Sequence, residues 1–333
     1  MSARMTRDVY QAWQFLLAPP APPAGFGTVR VFHPSPKFRA YSLLFWASKQ
    51  LVPLGVRFLT CSVDVQAGQR RGFVIQVMGW GLNREHWIVD RYALMSSERL
   101  DEDGKQLPID PAAYAEDWSR LIEKCITRRY LLADGSGRSM PTRLTVCDSG
   151  GEEGVTNRAY AFHRLLVSKR LDHRFRLVKG GSGAGPRVNE TYPDTRNRSD
   201  RNSGSAGDVP VLILGVDSLK DTVAGDLARE TPGPGYYHFP DWLPTSAYDE
   251  LTAEVRTAKG WTRVGRKNES LDLCCYAEAA YIRLKGEEID WTKPPTWAAP
   301  WDANPDVRID GEPIAPPRPR RPLRVVRSKH MGR

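Results

Sequence analysis

The chain has 333 residues, room for one large domain or two ordinary ones, with 41% hydrophobic content to build a core and a formal net charge of +9. That excess of base favours a polyanionic partner, nucleic acid first and an anionic membrane surface second. The composition excludes a membrane-spanning helix, since no run of about 18 apolar residues occurs. It also argues against an export signal, and five cysteines without a Cys-x-x-Cys pair argue against a disulfide framework or a structural zinc site.

Residues 1–50 offer no compact unit. Ala18-Pro19-Pro20-Ala21-Pro22-Pro23-Ala24-Gly25 is expected to be extended, 41–47 has the pattern of a short helix, and the whole stretch reads as a linker or the remnant of an upstream domain. Residues 58–66 form a short β-branched run between Gly55 and Gly68 and predict a buried strand. Asp64 is out of place in it. A carboxylate is seldom fully buried without a partner or a metal, so Asp64 either caps a turn at the sheet's rim or faces a cation. Residues 71–80 and 85–92 predict a second and a third strand with turn residues at 81–84, together an antiparallel meander. Pro111 is expected to open a helix carrying Tyr114, Trp118, Leu121, Ile122 and Cys125.

Residues 143–147 predict a fourth strand with Asp148 at its carboxyl end, broken by Ser149-Gly150-Gly151. A helix from about Thr156 and a fifth strand at 175–178 imply a parallel crossover. Residues 180–208 read as one long loop, 211–214 as a strand, 218–227 as a helix, 236–240 as a short edge strand and 251–264 as a hairpin around Lys259-Gly260. Asn268 is a good N-cap for a last helix with Leu271, Cys274, Cys275, Ala279 and Ile282 on one side, ending near Lys285-Gly286. Cys274 and Cys275 read as small core residues rather than ligands. Residues 287–333, Pro-rich and then Arg-rich, predict a flexible basic tail. The domain reading is therefore 1–50, 51–286 and 287–333.

Three antiparallel strands followed by helix and parallel-strand units describe an α/β, ribonuclease-H-like mixed sheet flanked by helices. In that architecture the first and fourth strands are neighbours and a late helix crosses them. Asp64, Asp148 and Asp272 would then converge. Three carboxylates in one place repel, and a divalent cation makes the cluster favourable. Oxygen-only ligands suit Mg2+ or Mn2+, and two such ions about 4 Å apart can serve phosphodiester hydrolysis. The helix dipole favours ionised Asp272. Glu269, three residues earlier on nearly the same face, is a fourth ligand or merely a first-turn acid.

The motifs Val63-Asp64-Val65-Gln66, Cys147-Asp148-Ser149-Gly150-Gly151, Val178-Lys179-Gly180-Gly181, Tyr237-His238-Phe239-Pro240, Leu251-Thr252-Ala253-Glu254 and Asn268-Glu269-Ser270-Leu271-Asp272 occur in this order. Together they resemble the nuclease half of the large terminase subunit of lambda-like tailed phages, the GpA family, over roughly 51–285. The resemblance implies an endonuclease cutting concatemeric phage DNA in the host cytoplasm. Asp64, Asp148 and Asp272 match its acidic positions, double-stranded DNA is the substrate, and the terminase small subunit and portal protein are its partners. Members of that family carry a packaging ATPase ahead of the nuclease. No Gly-x-x-x-x-Gly-Lys-Ser/Thr loop occurs here, and Gly180-Gly181-Ser182-Gly183-Ala184-Gly185 reads as a substrate-side loop. The expectation is a truncated reading frame or a nuclease-only product.

Lys179, Arg187, Arg266 and Lys267 flank the acids as candidate phosphate contacts, each equally readable as part of a solvated basic face. His163, His173 and His238 share no metal-ligand spacing, and His238 is expected to hydrogen-bond beside its strand. Two other readings stand beside the nuclease: a non-catalytic prophage remnant that binds DNA or portal, and a different ribonuclease-H-like enzyme such as a resolvase.

Overall fold

Alternation of β-branched and aromatic side chains drives the first strands. The computed structural model describes residues 50–68, 71–151, 153–181, 185–194 and 204–309; residues 1–49, with the proline-rich stretch, lie outside them. After the two-residue β1 (Leu51–Val52) come β2 (Phe58–Gln66), β3 (Gly72–Trp80) and β4 (His86–Leu94), paired antiparallel as the expected meander. A small hairpin, β5 (Ser96–Leu100) with β6 (Gln106–Pro108), follows.

Helix α1 (Ala115–Leu121) starts later than the proline suggested and runs into a π-helical turn at Ile122–Ile126. The physical reason is local. Asp110 Oδ1 takes the amides of Ala112 and Ala113, at 3.2 Å each, and Pro111 O accepts the Trp118 indole at 2.9 Å. These bonds stabilise a turn where a first helical turn was expected.

Strand β7 (Arg129–Leu132) pairs with β1 and with the start of β8 (Arg138–Asp148). The second half of β8 runs parallel to β2, and α2 (Val155–Ser168) crosses over to β9 (Phe175–Gly180), parallel to β8. The expected loop at 180–208 contains a further strand, β10 (Val188–Thr191), antiparallel to β11 (Val211–Leu214), and a bridge between Asp194 and Ala206. Only four residues long and at the sheet's edge, β10 has too little alternation to be read from sequence.

Helix α3 (Val216–Leu227) and strand β12 (Tyr237–His238) come next, the latter parallel to β4 at the other edge. Then follow α4 (Thr245–Leu251), the hairpin β13 (Glu254–Thr257) and β14 (Gly260–Arg263), α5 (Glu269–Arg283) and β15 (Arg308–Ile309). The sheet order is β10-β11-β9-β8-β2-β3-β4-β12. Counting its five principal strands in chain order, the arrangement is third, second, first, fourth, fifth: the mixed ribonuclease-H-like sheet.

Two apolar cores cover its faces. Val63 and Cys147 look toward α1 and α2, with Trp118 and Phe162. Leu144 and Val146 look the other way, toward α5, with Leu271, Cys274 and Cys275. The two cysteines are core residues, as expected. Helix α5 ends at Arg283, with Leu284 as its C-cap and Lys285 left-handed at φ 59°. Gly286 is required by close approach: a Cβ there would stand 2.5 Å from the Tyr281 ring.

The expected flexible tail from 287 needs correction. Residues 287–309 pack on the domain, and only 310–333 fall outside the described residues. Trp301 Nε1 donates to Val56 O at 2.6 Å, and Asn304 Nδ2 to Arg57 O at 3.1 Å. The Trp297 ring meets Phe58 edge-on at 5.0 Å, and β15 pairs antiparallel with the start of β8. Proline richness restricts the backbone without preventing two tryptophans from burying apolar area.

Candidate active site

Period-two alternation places Asp64 and Asp148. Val63 lies opposite Cys147 across the β2–β8 pair. Each aspartate is the next residue, so both side chains turn to the face that α5 covers. Asp64 is 8% exposed and Asp148 half-buried. Asp272 sits in the first turns of α5, which packs across β2 and β8.

The electrostatics report their closeness. Burial first, then the Asp148 and Asp272 carboxylates, push Asp64 up to about 7; Glu269 adds to this and a hydrogen bond from Gln66 opposes it. Burial raises Asp148, offset by the Gly150 and Ser149 amides and by Lys179; the Gly150 amide donates to Oδ1 at 3.1 Å. Asp272 is pushed up to about 6, by burial first and with Glu254 adding, while Lys220 pulls it down. Tyr276, four residues beyond Asp272, is raised by burial and then by Asp148, Asp64 and Asp272 in that order. Its hydroxyl is within electrostatic reach of the same three carboxylates.

Asn268 occupies the cap position, but its side chain makes no cap hydrogen bond. Its amide donates instead to Asp272 Oδ2 and Glu254 Oε1, at 2.7 Å each, and Arg263 donates to its oxygen. Lys220 Nζ completes the group, 2.7 Å from Glu254 Oε2 and 3.5 Å from Asp272 Oδ1, and Lys220 is 6% exposed. Glu269 is buried, with Oε1 accepting from Lys267 at 3.0 Å and Oε2 lacking a hydrogen-bond partner. An orphan buried oxygen beside crowded carboxylates, in an all-oxygen donor set, fits a hard divalent cation.

The candidate phosphate contacts divide. Lys179 is exposed beside Asp148, and Arg266 is exposed. Arg187 is tied to both oxygens of Glu287, at 2.6 and 2.7 Å, and Lys267 to Glu269. His238 Nε2 lies 2.6 Å from Glu85 Oε1, and its ring stacks on Trp87 at 4.5 Å.

Sequence reasoning passed over Lys220 and Tyr276, and named Gln66 and Glu254 within motifs without giving them a role. Gln66 and Tyr276 had a signal, at i+2 on a strand and i+4 on a helix from an acid already singled out. Lys220, next to Leu219 and three before Val223, was a basic residue at the edge of an apolar stripe. Glu254 had none. It also passed over His86, Asp226 and Glu278, whose donor atoms all lie within 4.8 Å of one another. Asp64, Asp148 and Asp272 do not form a group that tight.

Residues 38–291 match the family model described as terminase large subunit gpA, endonuclease domain. The chain is 28% identical over 247 residues to the terminase large subunit of Escherichia phage lambda and 29% identical over 248 residues to that of Enterobacteria phage P21. Each match covers 69% of this chain and 33% of the relative, so the chain spans about a third of the length of these relatives. The solved large terminase of a thermophilic bacteriophage aligns over 70% of this chain and 41% of its own, at 15% identity and a TM-score of 0.33.

Proposed function

The chain belongs to the family of gpA-type terminase large-subunit endonuclease domains, and from that premise we propose that it is a divalent-metal-dependent endodeoxyribonuclease of phage genome packaging. Its substrate is double-stranded DNA, cut by hydrolysis of a phosphodiester bond. One observation supports the reading above the others: β2 and β8 pair so that Asp64 and Asp148 fall on the face that α5, with Asp272 in its first turns, packs across.

Asp64, Asp148 and Asp272, with Glu269 as a further donor, would hold two Mg2+ or Mn2+ ions. When bound, such ions polarise the phosphate and lower the pKa of water. The protein's part is to hold its carboxylates ready. The Gly150 amide fixes one Asp148 oxygen, and Asn268 and Lys220 fix Asp272. Groups locked by neighbours before substrate arrives lose little freedom on binding. Lys179 and Arg266 are the proposed phosphate contacts, while Arg187 and Lys267 would first have to leave Glu287 and Glu269. The terminase small subunit and the portal protein are the proposed partners, and no ATP-driven step is assigned to these 333 residues.

The test is nicking of supercoiled plasmid in Mg2+ or Mn2+, beside Asp64→Asn, Asp148→Asn and Asp272→Asn. Each variant should lose roughly 100-fold or more in rate while keeping wild-type circular dichroism. Cutting that survives Asp64→Asn, or DNA retardation with no cutting at any metal concentration, would remove the assignment.

A further inference from the structure

A second cluster lies on the same face of the sheet, at its other end. His86 opens β4 and pairs across β3 with Trp80, which in turn pairs with Phe58 at the start of β2. Asp64 is six residues further along β2, roughly 20 Å away at strand rise. Asp226 is near the end of α3, and Glu278 lies on α5, about 9 Å along the helix axis from Asp272. His86, Asp226 and Glu278 are 0%, 3% and 0% exposed. Their donor atoms lie within 4.8 Å of one another, with His86 Nε2 3.9 Å from Asp226 Oδ2.

This cluster contains more than acids in proximity. Among the described residues, neither ring nitrogen of His86 and neither carboxylate oxygen of Glu278 has a partner at full hydrogen-bond geometry. A buried polar atom left unpaired costs about 1–3 kcal/mol, and more when charged, so the two Glu278 oxygens and His86 Nε2, 3.9 Å from Asp226 Oδ2, call for an occupant. The neighbouring cations serve Asp226 first. Arg84 forms an ion pair with its Oδ2, and Arg229 Nε stands 3.1 Å from its Oδ1. Arg84 reaches Glu278 only at 3.7 Å. Burial, then Arg84, hold His86 well below its ordinary pKa against a weaker opposing pull from the Gly235 backbone, which leaves the imidazole neutral and able to donate a lone pair.

We infer that His86, Asp226 and Glu278 form a binding site for one divalent transition-metal ion, separate from the aspartate patch. One imidazole and two carboxylates form a donor set that suits Zn2+, Co2+ or Mn2+ better than Mg2+ or Ca2+. Bonds of about 2.0–2.2 Å bridge a gap of the size found between His86 and Asp226. A cleft of about 540 Å3, bordered by Arg84, Asp226, Arg229 and Gly235, reaches the Asp226 side of the cluster, while His86 and Glu278 lie behind it. Gly235 has φ 72°, and a Cβ there would stand 2.5 Å from Asp226 Oδ1, so the backbone closes over the carboxylate as only glycine allows. Arg84 and an ion compete for the same Asp226 oxygen, and the guanidinium yields toward the cleft. Bound there, the ion ties β4 and α3 to the helix that carries Asp272. The inference stands independently of the nuclease reading.

The experiment uses the full chain with Asp64→Asn and Asp148→Asn, which disable the aspartate patch. Co2+ is titrated and followed by visible absorption and calorimetry. One Co2+ per chain is expected, displaced by Zn2+ and not by Mg2+. Adding His86→Gln or Glu278→Gln should weaken binding at least tenfold, and adding Arg84→Gln should tighten it. The isosteric Glu278→Gln and the Arg84→Gln change keep the test usable if His86→Gln fails to fold. Absence of Co2+ binding, or binding indifferent to Glu278→Gln and Arg84→Gln, overturns the site whatever the nicking assay shows.

Discussion

Asp64 holds its proton longer than an ordinary aspartate because burial and two neighbouring carboxylates oppose its charge. Its folded pKa of about 7 lies above the unfolded value, so between those two values the folded chain binds the proton more tightly. Stability from this group is therefore highest at low pH. It falls as the pH rises from about 4 to about 7 and stays down above that. Asp64→Asn removes the penalty. In metal-free buffer the variant should exceed the wild type in stability by a margin that widens across that window and then levels off, on the order of a few kcal/mol. Urea midpoints at several pH values read it, and a margin that does not change with pH would contradict this account. Added Mn2+ should reverse the order, since only the intact acid cluster gains by binding it.

Helix α5 is held to the site at its first turns by a charge network rather than by a conventional cap. Lys220 from α3, Glu254 from β13 and Asn268 converge on Asp272. Removing one partner of a buried ion pair strands the other and costs about 3–5 kcal/mol. Lys220→Met should destabilise the domain by that order, while Lys220→Met with Glu254→Gln should recover part of the loss. Denaturant melts of the single and double variants give the coupling directly. At the other end of the helix, Gly286→Ala drives a methyl into the Tyr281 ring, which also donates to the Gly286 carbonyl at 2.8 Å. A loss of about 1–3 kcal/mol is expected, as for overpacking in general.

At the scale of the molecule, the segment 287–309 acts as a strap across the base of the sheet. Trp301 and Asn304 bond to the backbone before β2, Arg143 lies over the Trp297 ring at 4.2 Å and pairs with Asp306 at 3.1 Å, and β15 extends the pairing of β8. Ending the chain after Ile309 should leave the melting temperature close to that of the full protein. Ending it after Glu288 should lower it by several degrees, since the loss of even one large buried side chain costs about 3–5 kcal/mol. Equal melting temperatures for the two truncations would mean that the strap contributes nothing. DNA affinity should fall with added salt in both, because phosphate neutralisation by lysine and arginine releases counterions.

Periodicity made the individual strands, the meander, the crossover and α5 readable before any coordinates, because period-two and 3.6-residue patterns are properties of neighbouring residues; the strand order came from the ribonuclease-H-like architecture that their succession describes. The same patterns turned Asp64 and Asp148 to one face, and α5 carried Asp272 to it. Pairings between distant residues were another matter. Lys220 with Glu254, Trp301 with the Val56 carbonyl, and His86 with Asp226 and Glu278 join residues 34, 245 and up to 192 positions apart. No local rule links them. The folded sheet alone decides which side chains its helices press together, and whether a stretch of prolines hangs free or lies down on the domain.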